Sequence, residues 1–163
     1  MTRIDELKSH YNLEKHPEGG WFSECFTSKA AHDNREYAGS IFFLLESDEI
    51  SHFHQIDCEE IWYFHEGCGM KIAVITNHKT EELLLGNDIK NGENAMVAIP
   101  AGAIFAATNL DPASYTFVSC VTTPKFQYEG FRLIGKTELQ ELHPDLTEDV
   151  INLAYDDARI QEG

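Results

Sequence analysis

Between Ser40 and Ile134 the chain is written almost entirely in short β-rich runs. They are Ile41–Leu45, His52–His54, Ile61–His65, Lys71–Thr76, Glu82–Leu85, Met96–Ile99, Tyr115–Thr122 and Phe131–Ile134. The breaks between them carry turn chemistry: Gly67, Gly69, Asn77, Gly86, Asn91-Gly92, Pro100-Ala101-Gly102 and Asp111-Pro112. Strands of this length with no long helix between them cannot build the alternating strand-helix layers of a parallel sheet. They predict an all-β, antiparallel sandwich or barrel. A chain of 163 residues makes one domain that buries roughly 70% of its unfolded surface. Its 42% apolar and 11% aromatic content exclude a disordered chain despite the high charge.

The flanks read differently. Residues 2–10 predict a short helix capped by Thr2, with Ile4 and Leu7 three apart. His16-Pro17-Glu18-Gly19-Gly20 is a sharp break, followed by a strand at Trp21–Phe26 and a polar excursion over 27–38. Beyond Ile134, Thr137-Glu138-Leu139-Gln140 fits a capping box for a helical turn that ends before Pro144. A second helix is expected from about Thr147, and Asp156–Gly163 is expected to fray. The barrel therefore spans about 17–135 and a helical tail 137–158.

The chemistry is concentrated in SHFHQIDCEEIWYFHEG, residues 51–67. Regular strand alternation turns His52 and His54 to one face, their Cβ atoms roughly 6–7 Å apart. A turn through Gln55–Cys58 brings Glu59 or Glu60 back beside them. Glu60 shares parity with Trp62 and Phe64, which favours it, with Glu59 as the alternative. His65, of opposite parity, belongs on an outer face or at an interface. Two imidazoles and a carboxylate facing an apolar cavity make either a divalent-metal site or an acid–base site. His16 and Glu18 read as a hydrogen-bonded loop anchor or as a wall over the barrel mouth. Cys120, on an apolar strand without an evident histidine partner, reads as a packing residue.

The formal charge is −16, from 28 acids against 12 bases, which repels nucleic acid and anionic membranes and leaves attraction of a cationic ligand open. The four cysteines lack paired spacing and predict reduced, buried thiols of a cytoplasmic protein. The longest apolar run, Ile41–Leu45, is far short of the roughly 20 residues that span a bilayer.

Residues 51–67 resemble the first motif of the cupin barrel. Residues 100–109, with Pro100, Gly102 and Asn109, resemble the second, except that Phe105 stands where the motif has a metal-binding histidine. HPEGGWF at 16–22, SIFFLL at 40–45, DCEEIWYFHEG at 57–67, IPAGAIFAA at 99–107 and SCVTTPKF at 119–126 are together similar to the uncharacterised cupin family DUF985 (Cupin_5) over residues 5–145. Gln55 replaces a common arginine, bearing on which anion, if any, the pocket attracts; Lys125 replaces a common glycine. The resemblance implies a double-stranded β-helix jelly roll with short flanking helices, usually a homodimer, with a pocket in the barrel.

Three functional readings follow. The leading one is a small-molecule-binding barrel whose pocket is lined by His52, His54, Glu60, Trp62, Phe64 and Phe105, with His16 and Glu18 at its mouth. As an enzyme it is a metal-free isomerase or epimerase of a sugar or nucleotide sugar in which a histidine exchanges a proton beside a carbonyl, with His52, His54 and Glu60 as its catalytic residues and no cofactor expected. The second is a metal enzyme such as a dioxygenase, using His52, His54 and Glu60 to hold iron, manganese, zinc or nickel. The third is a non-catalytic sensor or storage-type protein, since one barrel hosts all three.

Overall fold

A computed structural model describes residues 1–77 and 79–161. Its elements in chain order are α1 (Arg3–His10), β1 (Glu14–Lys15), β2 (Trp21–Thr27), β3 (Ala31–His32), β4 (Arg35–Glu36), β5 (Gly39–Glu46), β6 (Ile50–Ile56), β7 (Glu59–Gly67), β8 (Met70–Thr76), β9 (Lys79–Leu85), β10 (Met96–Ile99), β11 (Ile104–Asn109), β12 (Tyr115–Thr123), β13 (Phe131–Leu133), α2 (Lys136–Leu142), α3 (Glu148–Ile151) and α4 (Asp157–Gln161). Two antiparallel sheets, ordered β1-β2-β5-β12-β7-β10 and β13-β6-β11-β8-β9, face each other as a jelly-roll barrel. Inward residues of both sheets fill the space between them: Phe43, Trp62 and Val118 from the first, Ile72 and Phe105 from the second. Each side chain of this size contributes about 1.5–3 kcal/mol by leaving water.

Both outer faces are partly covered. Leu7 of α1 packs with Leu13, Leu44 and Phe117 on the first sheet, and Thr2 caps that helix reciprocally with Asp5. Leu139 and Ala154 pack with Phe53, Ile75 and Ile134 on the second. At the end of β7, Gly67 has φ +108°, and a Cβ there would lie 2.1 Å from the Tyr115 carbonyl oxygen, so only glycine fits the turn.

Several sequence expectations change. The excursion over 27–38 holds a small hairpin, β3 with β4, and Arg35 reaches from it to both Asp57 carboxylate oxygens at 3.0 and 2.9 Å. β11 is absent from the runs read as strands because its alanines have weak strand preference; pairing with β6 and β8 on either side makes it a strand. No capping box forms at Thr137. Gly135 precedes α2 instead, and the Thr137 amide and hydroxyl are taken by Asp157. Asp157 itself opens α4, so the segment expected to fray is helical to Gln161; residues 162–163 lie outside the described residues. All four cysteines are free, but Cys25 is exposed and only Cys58 and Cys120 are fully buried. Among the described residues no helix is long and apolar enough to cross a membrane.

Candidate functional site

A cavity of about 410 Å³ opens between the sheets, walled by His16, Glu18, His54, Glu60 and Cys120 inside and by more exposed groups such as Glu24 and Lys125 at its mouth. Its geometry depends on one irregularity in β6. Phe105 of β11 pairs with His54, yet Ala107 pairs with Ser51, so His52 and Phe53 together oppose a single residue. This β-bulge breaks the two-residue alternation. Ser51 and His54, rather than His52 and His54, turn inward.

His52 is thereby removed from the cavity. Its ring stacks on Tyr155 with centroids 3.6 Å apart and planes 14° apart. Its Nδ1 meets the Glu18 carbonyl at 2.7 Å, and its backbone N–H donates to the same oxygen at 2.7 Å. The Tyr155 hydroxyl donates to the Pro17 carbonyl at 3.2 Å. His52 and Tyr155 thus tie down the loop that carries Glu18, and Gly19 lets it pass: at φ +112°, a Cβ would stand 2.0 Å from the Ile50 carbonyl oxygen. His52→Ala is expected to cost about 1–2 kcal/mol, from a lost ring stack and hydrogen bond. Chemical denaturation checks this; no loss of stability would remove the anchoring role.

The Glu18 carboxylate is 6% exposed and accepts from Ser51 Oγ at 3.0 Å. Its other oxygen lies 2.9 Å from His54 Nε2 and 3.6 Å from His16 Nδ1. His54 Nδ1 meets the His52 carbonyl at 2.7 Å. Both His54 nitrogens therefore face acceptors, which favours the doubly protonated ring. Burial alone would lower the His54 pKa, but the Glu18 charge and these hydrogen bonds raise it. Burial would raise Glu18, yet the neighbouring imidazoles, with hydrogen bonds from His54 and Ser51, hold it well below the usual carboxylate range. His16 is pushed down by burial, against the pull of Glu18, and accepts the Glu18 backbone N–H at Nδ1, 3.2 Å away.

Glu60 behaves in the opposite way. Burial and the Glu18 charge push its carboxyl up to about 7, against weaker help for the ionised form from His54, Trp62 and Cys120. The buried Trp62 indole N–H does not reach hydrogen-bonding geometry with any group among the described residues. Two buried carboxyls share one cavity, one held ionised and the other holding its proton towards neutrality.

Of the residues singled out in the sequence, His16, Glu18, His54 and Glu60 come together here, while Glu59 points out to solvent. Trp62, Phe64 and Phe105 do not line the cavity; they pack in the core beside it. The Phe105 ring lies 4.1 Å from that of His54. Gln55 also points away, donating to the Gly102 carbonyl at 2.7 Å and accepting from Arg132 at 2.9 Å, so it does not wall the cavity. Asn109 is structural, its amide bridging the Leu45 and Ser47 carbonyls at 3.0 and 2.9 Å. The triad His52, His54 and Glu60 does not fit a metal, because the bulge turns one imidazole away and both nitrogens of the other are engaged. Among the described residues no group of three or more His, Cys, Asp or Glu is arranged to hold one.

Sequence reasoning missed Ser51, which only the bulge turns inward; Cys120 is buried as a packing residue and also walls the cavity. Thr116, Val118 and Cys120 share one parity and are all buried. His65 stands on the outer face as expected, its Nε2 2.8 Å from Ser119 Oγ.

The profile of the cupin superfamily family DUF985 matches residues 5–134. The chain belongs to this family. A solved structure of protein SO0799 from Shewanella oneidensis is 30% identical with a TM-score of 0.90, covering 96% of this chain and 100% of that one. A hypothetical protein from Leishmania major is 28% identical with a TM-score of 0.87 and the same coverage. The uncharacterised protein YML079W of Saccharomyces cerevisiae is 26% identical over 161 residues, 86% of this chain and 80% of that protein. Family and fold make this DUF985 protein a cupin-type small-molecule-binding protein.

Proposed function

We propose that the cavity binds a small polar carbonyl compound of sugar size and moves a proton at the carbon beside the carbonyl, an isomerase- or epimerase-type reaction that uses no metal. The observation that carries this reading is the opposed behaviour of Glu18 and Glu60 in one cavity. A carboxyl that titrates at about 7 can both give and take a proton at neutral pH, which is the property a general acid–base needs. Glu60 is the proton carrier. His54, held cationic by Glu18, supplies a fixed positive charge beside a developing enolate. His52 acts behind them as a positioning residue. Glu14, Glu24 and Glu18 on the cavity walls oppose the diphosphate of a nucleotide sugar, which favours the free sugar.

Solvent exchange tests the chemistry. In deuterium oxide, wild-type protein is expected to wash the C–H signal beside the carbonyl out of a ketose or aldose, followed by proton NMR. Glu60→Gln should slow this by about a hundredfold or more, the range for a lost general acid–base. Exchange at the buffer rate across a panel of such sugars would leave a binding protein without this activity.

We infer a homodimer as well. Tyr63 and Met96, paired across β7 and β10, are 40% and 48% exposed, and β10 ends its sheet with one edge unpaired among the described residues. Sedimentation at micromolar concentration should give twice the chain mass of 18.5 kDa. A single species at the chain mass would overturn the inference.

A further inference from the structure

The charge balance of the cavity says more about its ligand than its shape does. Two cations face it, and each is already neutralised: His54 by Glu18 at 2.9 Å and Lys125 by Glu24 at 2.7 Å. Two carboxyls make no ion pair among the described residues, although the His54 charge, already engaged by Glu18, acts on one of them from farther off. Glu60 is 7% exposed and lines the interior; Glu14 stands exposed on the wall. Phe22, Phe126 and Tyr128 supply aromatic surface to the same cavity. An incoming phosphate would meet unpaired carboxylates and no free cation. An incoming ammonium would meet carboxylates and the negative faces of aromatic rings.

We infer that the ligand of this cavity carries an ammonium group: an amine-bearing polar molecule of sugar size. This rests on the proposed use of the cavity and narrows its substrate to an amino-substituted carbonyl compound. The buried Glu60 is what separates the inference from surface acidity in general, since once ionised it is a charge held away from water with no ion-pair partner, a role an ammonium group fills. The formal charge of −16 adds a field that concentrates cations at the mouth.

The test uses three unreactive probes with one carbon skeleton: glucamine, glucitol and glucitol phosphate. Their binding to wild-type protein is followed by NMR titration at slightly alkaline pH. Glucamine is expected to bind about tenfold tighter than glucitol, as one desolvated cation–aromatic and carboxylate contact set allows, and glucitol phosphate more weakly than glucitol. Glu14→Gln, at an exposed position that makes no ion pair, should reduce the glucamine preference about threefold, the scale of a solvent-exposed charge contact. Equal binding of glucamine and glucitol, tighter binding of the phosphate, or no saturable glucamine binding at millimolar concentration would each overturn the inference. Failure of solvent exchange with the amine preference intact removes the acid–base reading alone. Exchange on uncharged ketoses without an amine preference removes this inference alone.

Discussion

Glu60→Gln is expected to make the protein more stable in mild alkali. The Glu60 carboxyl keeps its proton in the folded state up to about 7, whereas a glutamate in the unfolded chain loses it near about 4.3. Between those values the folded state binds more protons than the unfolded one, so stability falls as pH rises and the loss is complete above the folded pKa. A shift of this size corresponds to about 4 kcal/mol of wild-type stability lost by about pH 8. Glutamine has no proton to lose. The melting temperatures of wild type and variant should converge at about pH 3, where the carboxyl is protonated in both states, and separate at about pH 8, with the variant higher. A gap that does not change with pH would show that Glu60 is not held protonated by its surroundings. The same substitution should remove solvent exchange, so one residue would trade stability for activity, as strained functional groups do.

How far this site could be read from the sequence depends on whether local rules or distant contacts set each residue's direction. The strands of the barrel were legible because side chains alternate along them, and the parity of Glu60 with Trp62 gave the inward carboxyl. His52 was misplaced by the same rule. Its direction is set by a bulge, and that bulge is fixed from far away: the Phe53 amide donates to the Leu153 carbonyl at 3.1 Å and its carbonyl accepts from Ile134 at 2.9 Å, while the Phe53 ring packs with Leu139 and Ala154. Nothing within a few residues of His52 encodes those partners. The alanines of β11 hid a central strand for a similar reason, since its pairing on both sides outweighs their weak preference. His16-Pro17-Glu18-Gly19-Gly20 was legible as a break, but the 33 positions separating Glu18 from Ser51 concealed what the break presents to the cavity.

The bulge also explains how a barrel with Phe105 packed against the site histidine keeps an ordered polar site. Turning His52 outward lets its ring hold the Glu18 backbone, and turning Ser51 inward gives the Glu18 carboxylate a hydroxyl donor. Phe105 packs against His54 and keeps water from one side of the pair. The charge that orients His54 thus comes from a carboxylate on a distant loop.

That pair has the second large expected effect. Glu18→Ala removes the partner of a buried imidazolium 2% exposed, and breaking one side of a buried ion pair costs about 3–5 kcal/mol. Adding His54→Leu should restore much of the loss, because the cost lies mainly in the uncompensated charge and an apolar side chain suits the Phe105 ring. The pH dependence separates the two contributions. Glu18 titrates lower in the folded state than in the unfolded chain, so its contribution is present above about 4.3 and is lost as pH falls through the folded value. His54 titrates higher than in the unfolded chain, so its contribution is present below about 6.5 and is lost as pH rises through the folded value. The pair therefore supports the fold most strongly between about pH 4.5 and 6.5. Denaturation of wild type and Glu18→Ala across this range should show the largest difference there and a smaller one towards either extreme. An equal difference at all pH values would mean that the glutamate stabilises by packing and not by its charge.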